Sequence, residues 1–71
     1  MRTREEIFFE RLKTCIEDYY EAVDEPDKTD IAKRYCVRLY GKINAMCETY
    51  EILTGTRLVW GRDGYRIDTD Y

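Results

Sequence analysis

Three groups of residues have types that could do chemistry. Carboxylates crowd Ile16–Asp30, IEDYYEAVDEPDKTD, where Glu17, Asp18, Glu21, Asp24, Glu25, Asp27 and Asp30 accompany one base, Lys28. Paired carboxylates do acid–base work or hold Mg²⁺ or Ca²⁺. Asp24-Glu25-Pro26-Asp27, however, does not follow the D-x-[DN]-x-[DN]-G spacing of a calcium loop. Thiols form the second group, at Cys15, Cys36 and Cys47. Three cannot all pair within one chain, and no CxxC spacing occurs. All three fall on or beside apolar helical stripes, where reduced, buried thiols are expected and a three-thiolate metal site is the sharper alternative. The third group, Gly61-Arg62-Asp63-Gly64, lacks the GK[ST] and the following helix of a phosphate loop. Histidine, serine and glutamine are absent from the chain. That removes Ser-His and Cys-His nucleophile pairs, the commonest general base and the commonest zinc ligand. The sequence argues against an enzyme and implies no metal and no cofactor.

The elements that must carry these groups are readable. Thr3 followed by Glu6 fits a capping box, in which the hydroxyl accepts a backbone N–H and the glutamate reaches back. Behind it Phe9, Leu12, Ile16, Tyr19 and Val23 step by 3, 4, 3, 4, with Phe8 and Cys15 widening the stripe. The spacing predicts an amphipathic helix over about 4–24. Glu25-Pro26-Asp27 breaks it, and Asp27, Thr29 or Asp30 can cap the next helix. Ala32, Cys36, Leu39, Ile43, Met46, Tyr50 and Leu53 then step by 4, 3, 4, 3, 4, 3, and Tyr35, Tyr40 and Cys47 broaden that seam. They predict a helix over about 28–54, closed by Thr54-Gly55. The tail, RLVWGRDGYRID, predicts a β-hairpin over about 57–68. Asp63-Gly64 makes a two-residue turn, or all of Gly61–Gly64 make the loop. In either register Leu58, Trp60, Tyr65 and Ile67 share one face, which is expected to cover an end or flank of the helices. Thr69-Asp70-Tyr71 are expected to be loose.

The fold class is therefore mainly α: an antiparallel two-helix hairpin followed by a short C-terminal β-hairpin, one domain over 1–71. A chain of 71 residues buries only about 60% of the surface its unfolded form exposes, and such chains recruit a disulfide, a metal or a second copy. The second helix carries apolar residues to both sides of its seam, more than one partner helix covers. A homodimer with a four-helix arrangement is expected, against a monomer whose hairpin folds over the exposed stripe. The N-terminus has no apolar run long enough for a signal peptide or a membrane span, so a cytoplasmic protein with no membrane partner is expected.

Charge directs the functional reading. The formal net charge is −3 and the isoelectric point about 4.9. Both disfavour nonspecific nucleic-acid binding, which draws on Lys and Arg. Glu6, Glu10, Glu17 and Glu21 mark the outer side of the first helix, and Arg34, Arg38 and Lys42 form a basic row on the second. The plain reading is two solvated rows that pair weakly. The carboxylates near the end of the first helix resist it, because the helix dipole opposes negative charge there and the acids repel one another. Glu17, Asp18, Tyr20, Glu21, Asp24, Glu25 and Asp27, with Trp60, form a candidate surface for docking on a basic groove of a larger protein, such as a nucleic-acid-handling host-defence protein, where the module would block what normally binds. In size and charge the chain is similar to the phage-encoded proteins that disable host enzymes, anti-CRISPR proteins among them, an analogy that no motif carries. Two alternatives stand beside it. Arg34, Arg38, Lys42, Arg57, Arg62 and Arg66 could form a basic face for nucleic acid on a dimer. A dimer pocket of tyrosines and arginines could sequester a nucleotide-like molecule.

Overall fold

Thr3 opens the first helix. Its hydroxyl oxygen accepts the Glu6 N–H at 3.2 Å, and the hydroxyl in turn donates to the Glu6 carboxylate at 3.3 Å. The glutamate thus engages the capping hydroxyl, where a full capping box would have it accept the Thr3 N–H. From there a computed structural model, which describes residues 2–26 and 29–68, runs as α1 (Arg4–Val23), α2 (Asp30–Thr54), β1 (Leu58–Gly61) and β2 (Gly64–Ile67). α1 stops at Asp24, one residue before Glu25-Pro26. Thr29 caps α2, its Oγ1 accepting the Ala32 N–H at 3.2 Å. Gly55 closes α2 at φ 75, the left-handed conformation that glycine adopts without strain, and donates to the Glu51 carbonyl at 2.8 Å. The expectations made for Asp27 and for residues 69–71 lie outside the described residues.

The two helices run antiparallel. Phe8 stacks on Tyr50 with ring centres 5.3 Å apart, while Tyr19 lies 5.9 Å from Tyr40, so early positions of α1 meet late positions of α2. Leu12, Ile16 and Ile43 are almost wholly buried between them, with Cys15, Cys47 and Leu58 around these. Seven buried hydrophobic residues are all the described core, so each carries a large share of a marginal stability. Along the predicted seam of α2, Leu39, Ile43 and Cys47 are buried, and Ala32, Cys36, Met46 and Tyr50 are half-buried. Tyr35, Tyr40 and Leu53 are exposed, Leu53 at 79%. Two causes act on Leu53. A strict heptad drifts about 20° per repeat on a straight helix. By the antiparallel pairing, Leu53 also falls opposite the first turn of α1, where Glu5 and Glu6 offer no apolar cover.

The hairpin lies across one face of this pair, β1 against α2 and β2 against α1. Its register pairs Leu58 with Ile67, Val59 with Arg66, Trp60 with Tyr65 and Gly61 with Gly64. This is the register expected for a Gly61–Gly64 loop, but Gly61 and Gly64 pair as the last rung of the ladder and the turn itself is Arg62-Asp63. The Asp63-Gly64 turn is not adopted: it needs positive φ at both central residues, and no described non-glycine residue has one. Gly64, at φ 99, takes the left-handed step that brings the chain back. Leu58 reaches the core, Trp60 packs against it, the exposed Tyr65 lies on Phe9, and Ile67 stays 53% exposed at the hairpin's open end. The hairpin thus covers a flank of the helices. The molecule is a slab, 38 × 32 × 19 Å, with helices in one layer and the hairpin in a second.

Candidate interaction surfaces

The acidic stretch divides because an α-helix turns about 100° per residue. Tyr20 and Asp24 lie on the hairpin side. There the Arg62 guanidinium donates two hydrogen bonds of 2.9 Å to the two Asp24 carboxylate oxygens and sits 4.9 Å from the centre of the Tyr20 ring. α1 has no basic residue in its last turn. The hairpin supplies one, setting a cation at the C-terminal end of α1, where the dipole favours it. The hydrogen bonds to Asp24 and its charge raise the Arg62 pKa above its ordinary value.

Trp60 completes this side. Its ring centre is 5.4 Å from Tyr19, 6.0 Å from Tyr20 and 5.5 Å from Tyr40, each edge to face. Its indole N–H donates to Asn44 Oδ1 at 3.0 Å. Trp60 is half-buried and its one polar group is satisfied within the chain, so it holds the hairpin to both helices and offers a partner only its rim. Further along, Tyr65 stacks on Phe9 at 5.0 Å. Neither the Asn44 contact nor the Arg62 contact was foreseen from sequence, and nothing local to either residue signals it.

Asp18, Glu21 and Glu25 line the opposite side. With Ala22, Ala32 and Tyr35 they surround an open depression of about 390 Å³ between α1 and α2. The groove continues past Asp18, Cys15 and Arg11 to a basic end bordered by Arg4, Arg11 and Lys42, with Ile7, Phe8 and Met46 as its apolar floor. One face of the helical pair is therefore an uncovered groove, acidic at the end where the helices connect and basic at the other. Among the described residues, the ion pairs are Arg2–Glu10, Arg57–Asp68 and Arg62–Asp24, so none involves Asp18, Glu21 or Glu25. Glu17 is exposed, about 100° round the helix from Asp18. Asp27 lies outside the described residues.

Within one chain Arg38 and Lys42 are not gathered with the bases of the hairpin. Tyr40 and Asn44 touch Trp60, and Arg38 and Lys42 each stand two residues earlier, on nearly the opposite side of α2. Arg57, Arg62 and Arg66 belong to the hairpin side, where Arg57 Nε approaches Asp68 at 3.8 Å and Arg62 holds Asp24. Of the thiols, Cys15 and Cys47 are buried, Cys36 is half-buried, and all three are free. Burial raises the Cys47 thiol pKa above its ordinary 9.0. Among the described residues no three histidines, cysteines or carboxylates cluster to hold a metal, and no helix is long and apolar enough to cross a membrane.

Compared with known proteins, the chain matches no family model, no curated protein and no solved structure.

Proposed function

We propose that this chain is a small, acidic, non-catalytic protein-binding module, an inhibitor that docks its acidic end on a basic groove of a larger protein, as phage-encoded anti-defence proteins do. One observation carries the reading: Asp18, Glu21 and Glu25 stand around one open depression with Tyr35 and have no ion pair among the described residues. Acids at i, i+3 on a helix repel one another and cost a few tenths of a kcal/mol, so Asp18 and Glu21 weaken α1. A cationic partner turns that repulsion into attraction and steers the encounter. Tyr35, 47% exposed beside them, is of the residue type enriched at interfaces.

The same reading includes self-association. Ile31, Val37, Ile52 and Leu53 of α2 are each more than 70% exposed. Two copies that complete a four-helix arrangement would cover part of that surface. The three free thiols suit a reducing, cytoplasmic setting.

A labelled arginine-rich peptide tests the docking surface. Added at low salt, it is expected to perturb the backbone NMR signals of Asp18, Glu21, Glu25 and Tyr35. A variant with Asp18, Glu21 and Glu25 changed to lysine should show no such response. Perturbation spread equally over Glu5, Glu6, Glu48 and Glu51 would mean general charge attraction and would end the proposal.

A further inference from the structure

Among the groove-lining residues of α1, Arg4, Ile7, Arg11, Thr14, Asp18, Glu21 and, just past the helix end, Glu25 follow a heptad spacing, while Glu10, which also lines the groove, is already paired with Arg2. This second stripe lies beside the core stripe, and it is basic in its first half and acidic in its second. Arg11 and Asp18 are two turns apart, about 10 Å along the axis, and Arg4 and Glu25 roughly three times as far. Neither pair can close within one chain. Turning a second copy end for end about an axis near Thr14 changes this. Arg11 then meets Asp18, Arg4 meets Glu25 and Ile7 falls opposite Glu21 and Ala22, each contact made twice by symmetry. A parallel arrangement would set Arg11 on Arg11 and Asp18 on Asp18, which like charges oppose.

We infer that the open groove seats a second copy of this chain, antiparallel across a two-fold axis, with the acidic end of each copy over the basic end of the other. The inference deepens the four-helix reading and rests on it, naming the face and the register. Lys42, on the other wall of the groove beside Arg11 and Met46, adds to the basic half. Ile7, 39% exposed in the free chain, and the half-buried Met46 and Ala22 supply apolar contact between the charged ends. The assembly is four layers deep: hairpin, helical pair, helical pair, hairpin. A basic partner and the second copy compete for the same carboxylates, so self-association keeps the docking surface covered until such a partner displaces it.

Light scattering on the full chain tests this. The wild type is expected at twice 8.6 kDa, with an association that weakens as salt rises. Two variants separate the possibilities: Arg4→Glu with Arg11→Asp, and Asp18→Arg with Glu25→Arg. Each alone sets like charges together and should self-associate more weakly, on the order of tenfold or more. Mixed in equal amounts they should form a heterodimer, because all four contacts are then between opposite charges. A wild type that stays monomeric overturns both this inference and the four-helix reading. A dimer that neither variant disturbs, or variants that lose self-association yet do not recombine, overturns this face and register and leaves the four-helix reading standing. Should a variant lose its helical circular dichroism, disulfide trapping decides the matter. Thr14→Cys, beside the axis, should link two chains under mild oxidation and Glu17→Cys, on the outer side, should not; equal linkage overturns the register.

Discussion

On the hairpin side of the helical pair, Tyr19, Tyr20, Tyr40 and Trp60 touch through ring centres 5.0 to 6.0 Å apart. The Trp60 N–H is taken by Asn44 and the Arg62 charge by Asp24. On the groove side, Asp18, Glu21 and Glu25 gather at one end and Arg4, Arg11 and Lys42 at the other. The two sides use similar residue types. They differ in whether complementary groups can reach one another within the chain. The hairpin folds back to bring Arg62 to Asp24, whereas a rigid helix holds Arg11 and Asp18 two turns apart. A side closed from within serves stability, whereas on the groove side Arg2 and Glu10 pair but the charges at its two ends are too far apart to meet within one chain.

The strongest challenge to this division is a cavity in the covered side. Leu12 and Ile43 are wholly buried, so Leu12→Ala or Ile43→Ala should cost about 2–5 kcal/mol. At roughly 0.05–0.15 kcal/mol per residue a chain of this length has about 4–11 kcal/mol in total, so urea melts should show either variant losing a large share of its stability. A cost below about 1 kcal/mol would mean that the covered side is not the core. Trp60→Ala comes next, at about 2–3 kcal/mol, because a half-buried indole yields less than the full truncation cost. It removes three ring contacts and leaves Asn44 without its donor. Its particular signature is selective: the hairpin amides should lose hydrogen-exchange protection before those of the α1–α2 centre. Uniform loss would mean that the two layers unfold as one.

Gly64→Ala probes the same layer more gently. A methyl group there meets nothing within 4 Å, so the space is open and only the backbone conformation, φ 99, resists. The expected cost is about 1 kcal/mol, read from the denaturation midpoint. Gly61→Ala, with the same open space and no positive φ, should cost less. Equal costs would show that the left-handed step does not hold the turn.

What could be read from sequence follows the range of the interactions. Both helices, their caps at Thr3, Thr29 and Gly55, and the face shared by Leu58 and Trp60 depend on residues within a turn or a strand of each other, and periodicity exposes them. The contact of Trp60 with Asn44 spans 16 residues and that of Arg62 with Asp24 spans 38. No periodic signal encodes either, since each depends on where the hairpin lands. The acidic stretch reads from sequence as one surface because linear density hides direction. Only the rotation along α1 separates Asp24, bound to Arg62, from Asp18 and Glu21 on the groove. Leu53 fits the heptad and is nevertheless exposed, because spacing reports a face without reporting where the neighbouring helix begins.

Cys47 gives the smallest and most local test of the covered side. It is 8% exposed in the core cluster, and burial holds its thiol pKa above the ordinary 9.0. Below that value the folded and unfolded chains both keep the proton, and the thiol's contribution to stability is fully present. As pH rises past it, the unfolded chain ionises first while the folded chain still holds its proton. The unfolded state then binds fewer protons, so stability falls with rising pH until the folded-state value is passed. Lysines and tyrosines also titrate near this range, but they are common to the wild type and to Cys47→Ala. Urea melts of both chains under reducing conditions, between about pH 8 and 10, should therefore show a steeper alkaline decline for the wild type. The truncation itself lowers the whole curve, and the difference in slope belongs to the thiol alone. Coincident slopes would mean that water reaches Cys47 in the folded chain, and that the layer under the hairpin is as open as the groove on the other side.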